Sequence, residues 1–134
     1  MPLRFLTATL VVTAVAGTVT AQSGEFYGRT PVGPDFDVMT VRNSDGNRLN
    51  IHSRVDEADG FYVICMATSG APHEDNEELM SYQLIELNGQ VIMRGTDWAP
   101  HFRNANGRQA VCQKTRARIV PNPRFETRWA RHDF

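Results

Sequence analysis

Four histidines, His52, His73, His101 and His132, are the side chains of this sequence suited to moving a proton near neutral pH. A base at His52 or His101, a carboxylate such as Glu86 and an arginine would form the acid, base and phosphate clamp of a small ribonuclease-like hydrolase. No spacing links those residues, so the pattern names the chemistry without selecting its carriers. His73 lies among Glu74, Asp75, Glu77 and Glu78, and flexible carboxylates suit a hard cation. The ligand order of a calcium loop is absent there. It is absent at Asp45-Gly46 too, where Val41 occupies the first ligand position. The sequence lacks a nucleophile elbow, a phosphate-binding loop, a zinc-protease helix motif and a dinucleotide fingerprint. The expectation is therefore a chain with no metal, no cofactor and no catalytic residue.

The two cysteines, Cys65 and Cys112, point elsewhere. Isolated cysteines without a CxxC or a neighbouring His lack zinc spacing. Residues 1–21 have the parts of a secretory signal: Arg4 near the amino terminus, an apolar run from Phe5 to Val19, and Val19-Thr20-Ala21 as a small-residue cleavage site. That run is too short and too rich in threonine to span a bilayer comfortably, so no membrane is expected in the mature form. In an exported chain an even cysteine count reads as a disulfide, and only one pairing exists.

The elements that would position these residues are short strands. Hydrophobic residues make up 41% of the 134, enough for one packed domain and against a disordered chain. Residues 22–34 read as an irregular N-terminal arm, broken by Gly24, Gly28, Pro31, Gly33 and Pro34. From 35 to 134 the chain reads as one domain. Phe36 to Arg42 and Arg48 to Val55 are β-prone and flank Asp45-Gly46, a favoured two-residue turn. That turn would set Phe36 opposite Val55 and Asp37 opposite Arg54. Asp56 to Gly60 follows as an acidic loop. Phe61 to Ala67 is apolar on both faces, as a central strand must be. Tyr82 to Leu87 and Gln90 to Thr96 flank Asn88-Gly89, the strongest short-range hairpin signal, and would pair Ile85 with Ile92. Trp98 to Gly107 fits no regular element. Ala110 to Val120 and Phe125 to Ala130 complete the set. One helical turn over Glu74 to Met80 is the single helical expectation. The fold class is all-β, a small antiparallel β-sandwich of about six or seven short strands stapled by one disulfide.

Charge is distributed unevenly. The chain sums to −1, but Gln22 to His101 carries −8 and Phe102 to Phe134 carries +6. On the strand from Ala110, the alternation of Lys114, Arg116 and Arg118 places three cations on one face as a basic ridge, which Arg124, Arg128 and Arg131 would extend. A ridge of this kind suits an acidic protein surface or phosphate. The near-neutral total disfavours nucleic acid. Lys114 is the one lysine beside 13 arginines, as a GC-rich genome would give, and as would suit a protein avoiding a host ubiquitin system.

The stretch from Phe61 onward resembles the ToxB-like (MAX) small secreted effectors of plant-pathogenic fungi. The resemblance rests on Cys65 in FYVICMA, YQLIEL-NG-QVIMRG as second and third strands, Cys112 opening the strand to Val120, and RFETRWAR as a sixth. It implies a six-stranded β-sandwich over 61–134, with Phe36–Val55 as an N-terminal extension. It also implies a secreted, non-enzymatic effector that binds a host protein through an exposed strand edge or surface loops, in a virulence or avirulence role, with entry into host cells open. Only the cysteine pair carries over from the family. The ridge at Lys114, Arg116 and Arg118 is the expected partner-binding surface. A ribonuclease-like hydrolase and an extracellular inhibitor or binding domain are the alternatives. Oligomeric state is not encoded in any pattern of the sequence.

Overall fold

The computed structural model describes residues 24–43, 45–70, 72–77, 80–94 and 98–133. The leader expected at 1–21 lies outside the described residues. Those described contain nine strands and no helix: β1 (Glu25–Pro31), β2 (Asp37–Arg42), β3 (Arg48–Ala58), β4 (Phe61–Ser69), β5 (Met80–Leu87), β6 (Gln90–Arg94), β7 (His101–Phe102), β8 (Gln109–Arg118) and β9 (Phe125–Asp133). A large sheet runs β1-β8-β4-β3-β2 in antiparallel order, and β7 adds to the end of β4 in parallel. A small antiparallel sheet runs β9-β5-β6. The expected all-β sandwich with one disulfide is the fold observed.

The large sheet has a core on each face, which explains the two-sided apolar sequence of β4. Tyr62, Ile64 and Met66 pack with Leu49 and Ile51 of β3 against Ile85, Leu87, Ile92 and Met93 of the small sheet. Val63, Cys65 and Ala67 face the other way, onto Val32, Phe36, Phe102 and Ala105 from the loops. Each fully buried Leu or Ile contributes about 1.5–3 kcal/mol, so both faces stabilise β4 as the centre of the molecule. Tyr62 is buried whole. Its hydroxyl accepts from Val120 N at 3.0 Å, and its ring meets Phe125 edge-on at 5.0 Å.

Cys65 and Cys112 are bonded, and they stand directly opposite each other on β4 and β8. The bond therefore joins neighbouring strands of one sheet, on the face covered by loops rather than the face between the sheets.

Several local expectations are corrected. The arm at 22–34 is not irregular throughout, because Glu25–Pro31 forms β1 along β8. Gly28, at φ 95°, is the site of a bulge between Phe26 and Arg29, so the glycine that reads as a breaker marks an irregularity within a strand. The Phe36–Val55 hairpin is no appendage, because β3 pairs along nine residues of β4. Its register also differs: Asp37 faces Ser53, because the turn spans Asn43 to Asn47 and is closed by the Asn43 side chain accepting from Asp45 N and Asn47 N. The two-residue Asp-Gly turn is instead Asp59-Gly60, with φ 55° and 85°, joining Ala58 directly to Phe61 where an acidic loop was expected. Asn88-Gly89 behaves as expected, with φ 49° and 86°. A bulge in β5–β6 then sets Ile85 against Met93 rather than Ile92, and Ile92 and Met93 are both buried. The Glu74–Met80 helical turn is seen only as a bond from Glu77 N to Glu74 O, with residues 78–79 outside those described.

Candidate functional site: a cation–aromatic face

The strand carrying the basic ridge is interior. β8 is flanked by β1 on one side and β4 on the other, so its backbone is not an exposed edge, contrary to expectation. Nor do its cations follow plain alternation. Lys114 lies opposite Val63, but Arg118 lies opposite Phe61, so β8 carries extra residues between them. Thr115 turns inward in this bulge. Its buried hydroxyl donates to Tyr62 O at 2.8 Å and accepts from Ala117 N at 3.1 Å.

The bulge brings two of the three cations, Lys114 and Arg118, to one ring, that of Phe61. The Lys114 ammonium lies 5.7 Å from the Phe61 centroid and 5.6 Å from that of Tyr27. The Arg118 guanidinium lies 4.9 Å over Phe61. Arg116 is exposed and lines, with Phe61 and Lys114, a shallow depression of about 380 Å³. Tyr27 is 45% exposed and Phe26, its neighbour on β1, 58%. Successive residues point to opposite sides of a strand, so these two rings wrap the β1 edge, and Arg29 covers Phe26 at 5.1 Å. Phe26 and Tyr27 were missed in the sequence because they fell in the supposed arm.

The three cations differ in availability. Lys114 is held between Glu25 Oε1 at 3.7 Å and Asp59 Oδ2 at 3.5 Å, with only 20% of its side chain exposed. Arg116 and Arg118 are the outward charges. Of the extension expected at Arg124, Arg128 and Arg131, Arg124 is exposed, and its backbone N–H donates to Asn88 Oδ1. The side chains of Arg128, Arg131 and His132 lie outside those described.

The histidines and Glu86 do not assemble the ribonuclease-like set. His52 is on the loop-covered face of the large sheet, with its Nε2 2.8 Å from Ser69 Oγ. Glu86 is buried in the small sheet, which packs on the opposite face. His101 is buried. It accepts from Thr68 Oγ1 at Nδ1 (3.0 Å) and donates from Nε2 to Gly70 O (3.1 Å). His73 meets the His101 ring edge-on at 5.9 Å and bonds Glu77 at 2.8 Å. Burial pushes both His52 and His101 below the ordinary 6.5. The acidic loop around His73 is occupied in structural bonds: Asp75 accepts from Arg103 N and from the Arg108 guanidinium, and Glu74 pairs with the Arg103 side chain. Backbone and arginine donors hold the Asp75 carboxyl below its usual range. Among the described residues no cluster has the makings of a metal site. No family model, curated protein or solved structure matches this chain.

Proposed function

We propose that the protein is a secreted effector that acts by binding a host protein, and that the contact surface is the cation–aromatic face of β1 and β8. The reading is carried by one observation: Tyr27 and Phe61 interleave with Lys114 and Arg118, with Arg116 exposed beside Phe61 and Lys114, while Phe26 and Arg29 continue the pattern around the β1 edge. Interfaces concentrate aromatic residues and arginine in this way, and their binding energy with them. A guanidinium over a ring also keeps the ring partly covered in the free protein, at about 0.5–1 kcal/mol for an exposed pair. The partner surface is acidic, because Arg116 and Arg118 carry the outward charge, and charge here sets on-rate and specificity more than affinity.

Recognition runs through side chains rather than strand addition. Both edges of β8 are taken, and the outer edge of β1 is interrupted by the Gly28 bulge and by Pro31, which lacks a donor. The resemblance to the ToxB-like effectors supports the role, and the face supplies a surface for it.

The test uses photo-crosslinking from position 26 in plant extract. It compares wild type with an Arg116→Glu, Arg118→Glu variant, and each captured protein is then purified and its affinity measured at low and moderate salt. Lys114 is left intact, because a carboxylate there would face Glu25 and Asp59. Weaker binding with a shallower salt dependence in the folded variant supports the reading. Equal binding at both salt concentrations refutes it.

A further inference from the structure

On the loop-covered side of the large sheet lies a cleft of about 520 Å³, within the size range of small-molecule sites. Its floor is the end of the sheet, with Asn50 and His52 from β3 and Ser69 from β4. One wall is apolar, with Val32, Pro34 and Val38. The other is the loop carrying Arg103. Ser69 Oγ stands 2.8 Å from His52 Nε2, a contact between residues 17 apart that the β3–β4 register creates. Asn50 is oriented by its own neighbour: Thr40 Oγ1 donates to Asn50 Oδ1 at 2.7 Å, which turns the amide nitrogen toward Ser69 Oγ at 3.5 Å. A hydroxyl, a base within hydrogen-bond reach and an amide donor beside the hydroxyl thus meet at one cleft, held on two strands of the rigid sheet.

We propose that this cleft is an esterase site, in which Ser69 is the nucleophile, His52 the general base and Asn50 the donor to the developing oxyanion, with small aliphatic esters as the substrate class. Ser69 Oγ bonds to the acyl carbon as its proton passes to His52 Nε2. The C–O bond to the alcohol breaks, and the leaving oxygen takes that proton. Water then loses a proton to the same nitrogen and attacks the acyl carbon. The carboxylic acid departs and Ser69 recovers its hydrogen. The Asn50 amide, which donates to Ser69 Oγ at 3.5 Å in the free protein, would turn to the oxygen that forms on the carbon bonded to Oγ. The apolar wall of Val32, Pro34 and Val38 is where the acyl chain lies. Burial depresses His52 protonation, so the ring is neutral at physiological pH, and in the tautomer that carries its proton on Nδ1 the Nε2 lone pair faces Ser69 Oγ. The site lies apart from the cation–aromatic face and does not depend on it.

The experiment treats the oxidised, folded protein with a fluorophosphonate and maps the adduct by peptide mass. In parallel it follows hydrolysis of p-nitrophenyl acetate and butyrate by wild type, Ser69→Ala and His52→Gln. The expected result is one adduct, on Ser69, absent from urea-denatured protein, with hydrolysis falling at least about 100-fold in each folded variant. Labelling of wild type requires no variant to fold. No adduct on Ser69 in the native protein overturns the proposal. So does hydrolysis that is unchanged in folded Ser69→Ala.

Discussion

Replacing the glycines of three hairpin turns and the one that ends β4 tests the fold by magnitude. Gly46, Gly60 and Gly89 have φ of 84°, 85° and 86°, and a Cβ at any of them meets nothing within 4 Å. Alanine there incurs only the left-handed backbone term, about 1–2 kcal/mol. A stiffer unfolded chain offsets about 0.4–1 of that, leaving about 1 kcal/mol. Gly70 differs in kind. Its φ is 136°, and a Cβ would lie 3.0 Å from Arg48 O, a backbone atom. Arg48 cannot retreat easily, because it pairs with Arg42 and precedes the fully buried Leu49. Gly70 also holds two sides of the β4–β7 junction, donating to Phe102 O and accepting from His101. Strain in that region is of order 1–3 kcal/mol, and the contact adds to it, so Gly70→Ala costs about 3 kcal/mol. At roughly 4–8 °C per kcal/mol, Gly70→Ala melts well over 10 °C lower and each of the others by single degrees. Urea unfolding of the oxidised proteins, monitored by tryptophan fluorescence, gives the order directly. Gly70→Ala as stable as Gly89→Ala would refute the φ and packing argument together. A large separation between Gly46→Ala and Gly89→Ala would refute the claim that open space and equal φ give equal cost.

The same structure sets three further outcomes. Replacing Cys65 and Cys112 by alanine opens a link across 47 residues and should lower stability by about 4 kcal/mol by loop entropy, read by urea titration, and two free thiols in non-reducing mass spectrometry of the purified protein would contradict the bond itself. Thr115→Val should cost about 1–3 kcal/mol, since it strips the buried Tyr62 carbonyl and the Ala117 N–H of their partner, and a neutral result would mean the bulge is held by something else. For pH, the His52 and His101 protonation points are lowered by burial, so below 6.5 the unfolded chain binds protons that the native state does not, and stability falls as pH drops from 7 toward 5. Thr68, the Gly70 carbonyl, His73 and Glu77 are the groups facing His101, and a folded His101→Asn variant should show a shallower slope in that window.

The strands that read clearly in the sequence are those whose signals are local. FYVICMA could only be buried on both faces, and Asn88-Gly89 could hardly be anything but a tight turn. β1 was hidden because Gly28 and Pro31 look like breakers, yet a bulge accommodates the first and a strand end the second. His101–Phe102 was hidden because two residues carry no period, and their place is fixed by Thr68 and Ser69 across a parallel pair. The first hairpin slipped by one because Asn43, a side chain and not the Asp45-Gly46 pair, closes its turn. Candidate sites follow the same division. The cations of β8 were legible as charge, but the convergence of Lys114 and Arg118 on Phe61 comes from a bulge that the alternation conceals. The His52–Ser69 contact comes from strand register alone, so no spacing could announce it.

Rigidity connects the two cores to the proposed binding face. Phe61, Lys114 and Arg118 sit on β4 and β8, which are joined by the ladder, by the disulfide and by the Thr115–Tyr62 bond. Their rings and charges are therefore set before a partner arrives, and little ordering cost remains for that part of the surface. Tyr27 and Phe26 sit on β1, which forms one edge of the large sheet, and its pairing with β8 is interrupted at the bulge. Because β1 takes its ladder bonds from β8, a change that loosens β8 reaches these rings. Opening the disulfide removes one of the three ties between β4 and β8. The redox state of the surroundings therefore bears on the proposed binding face through β8, whereas the face between the sheets, built from Leu49, Ile51, Ile64, Met66 and Met93, holds no part of the bond.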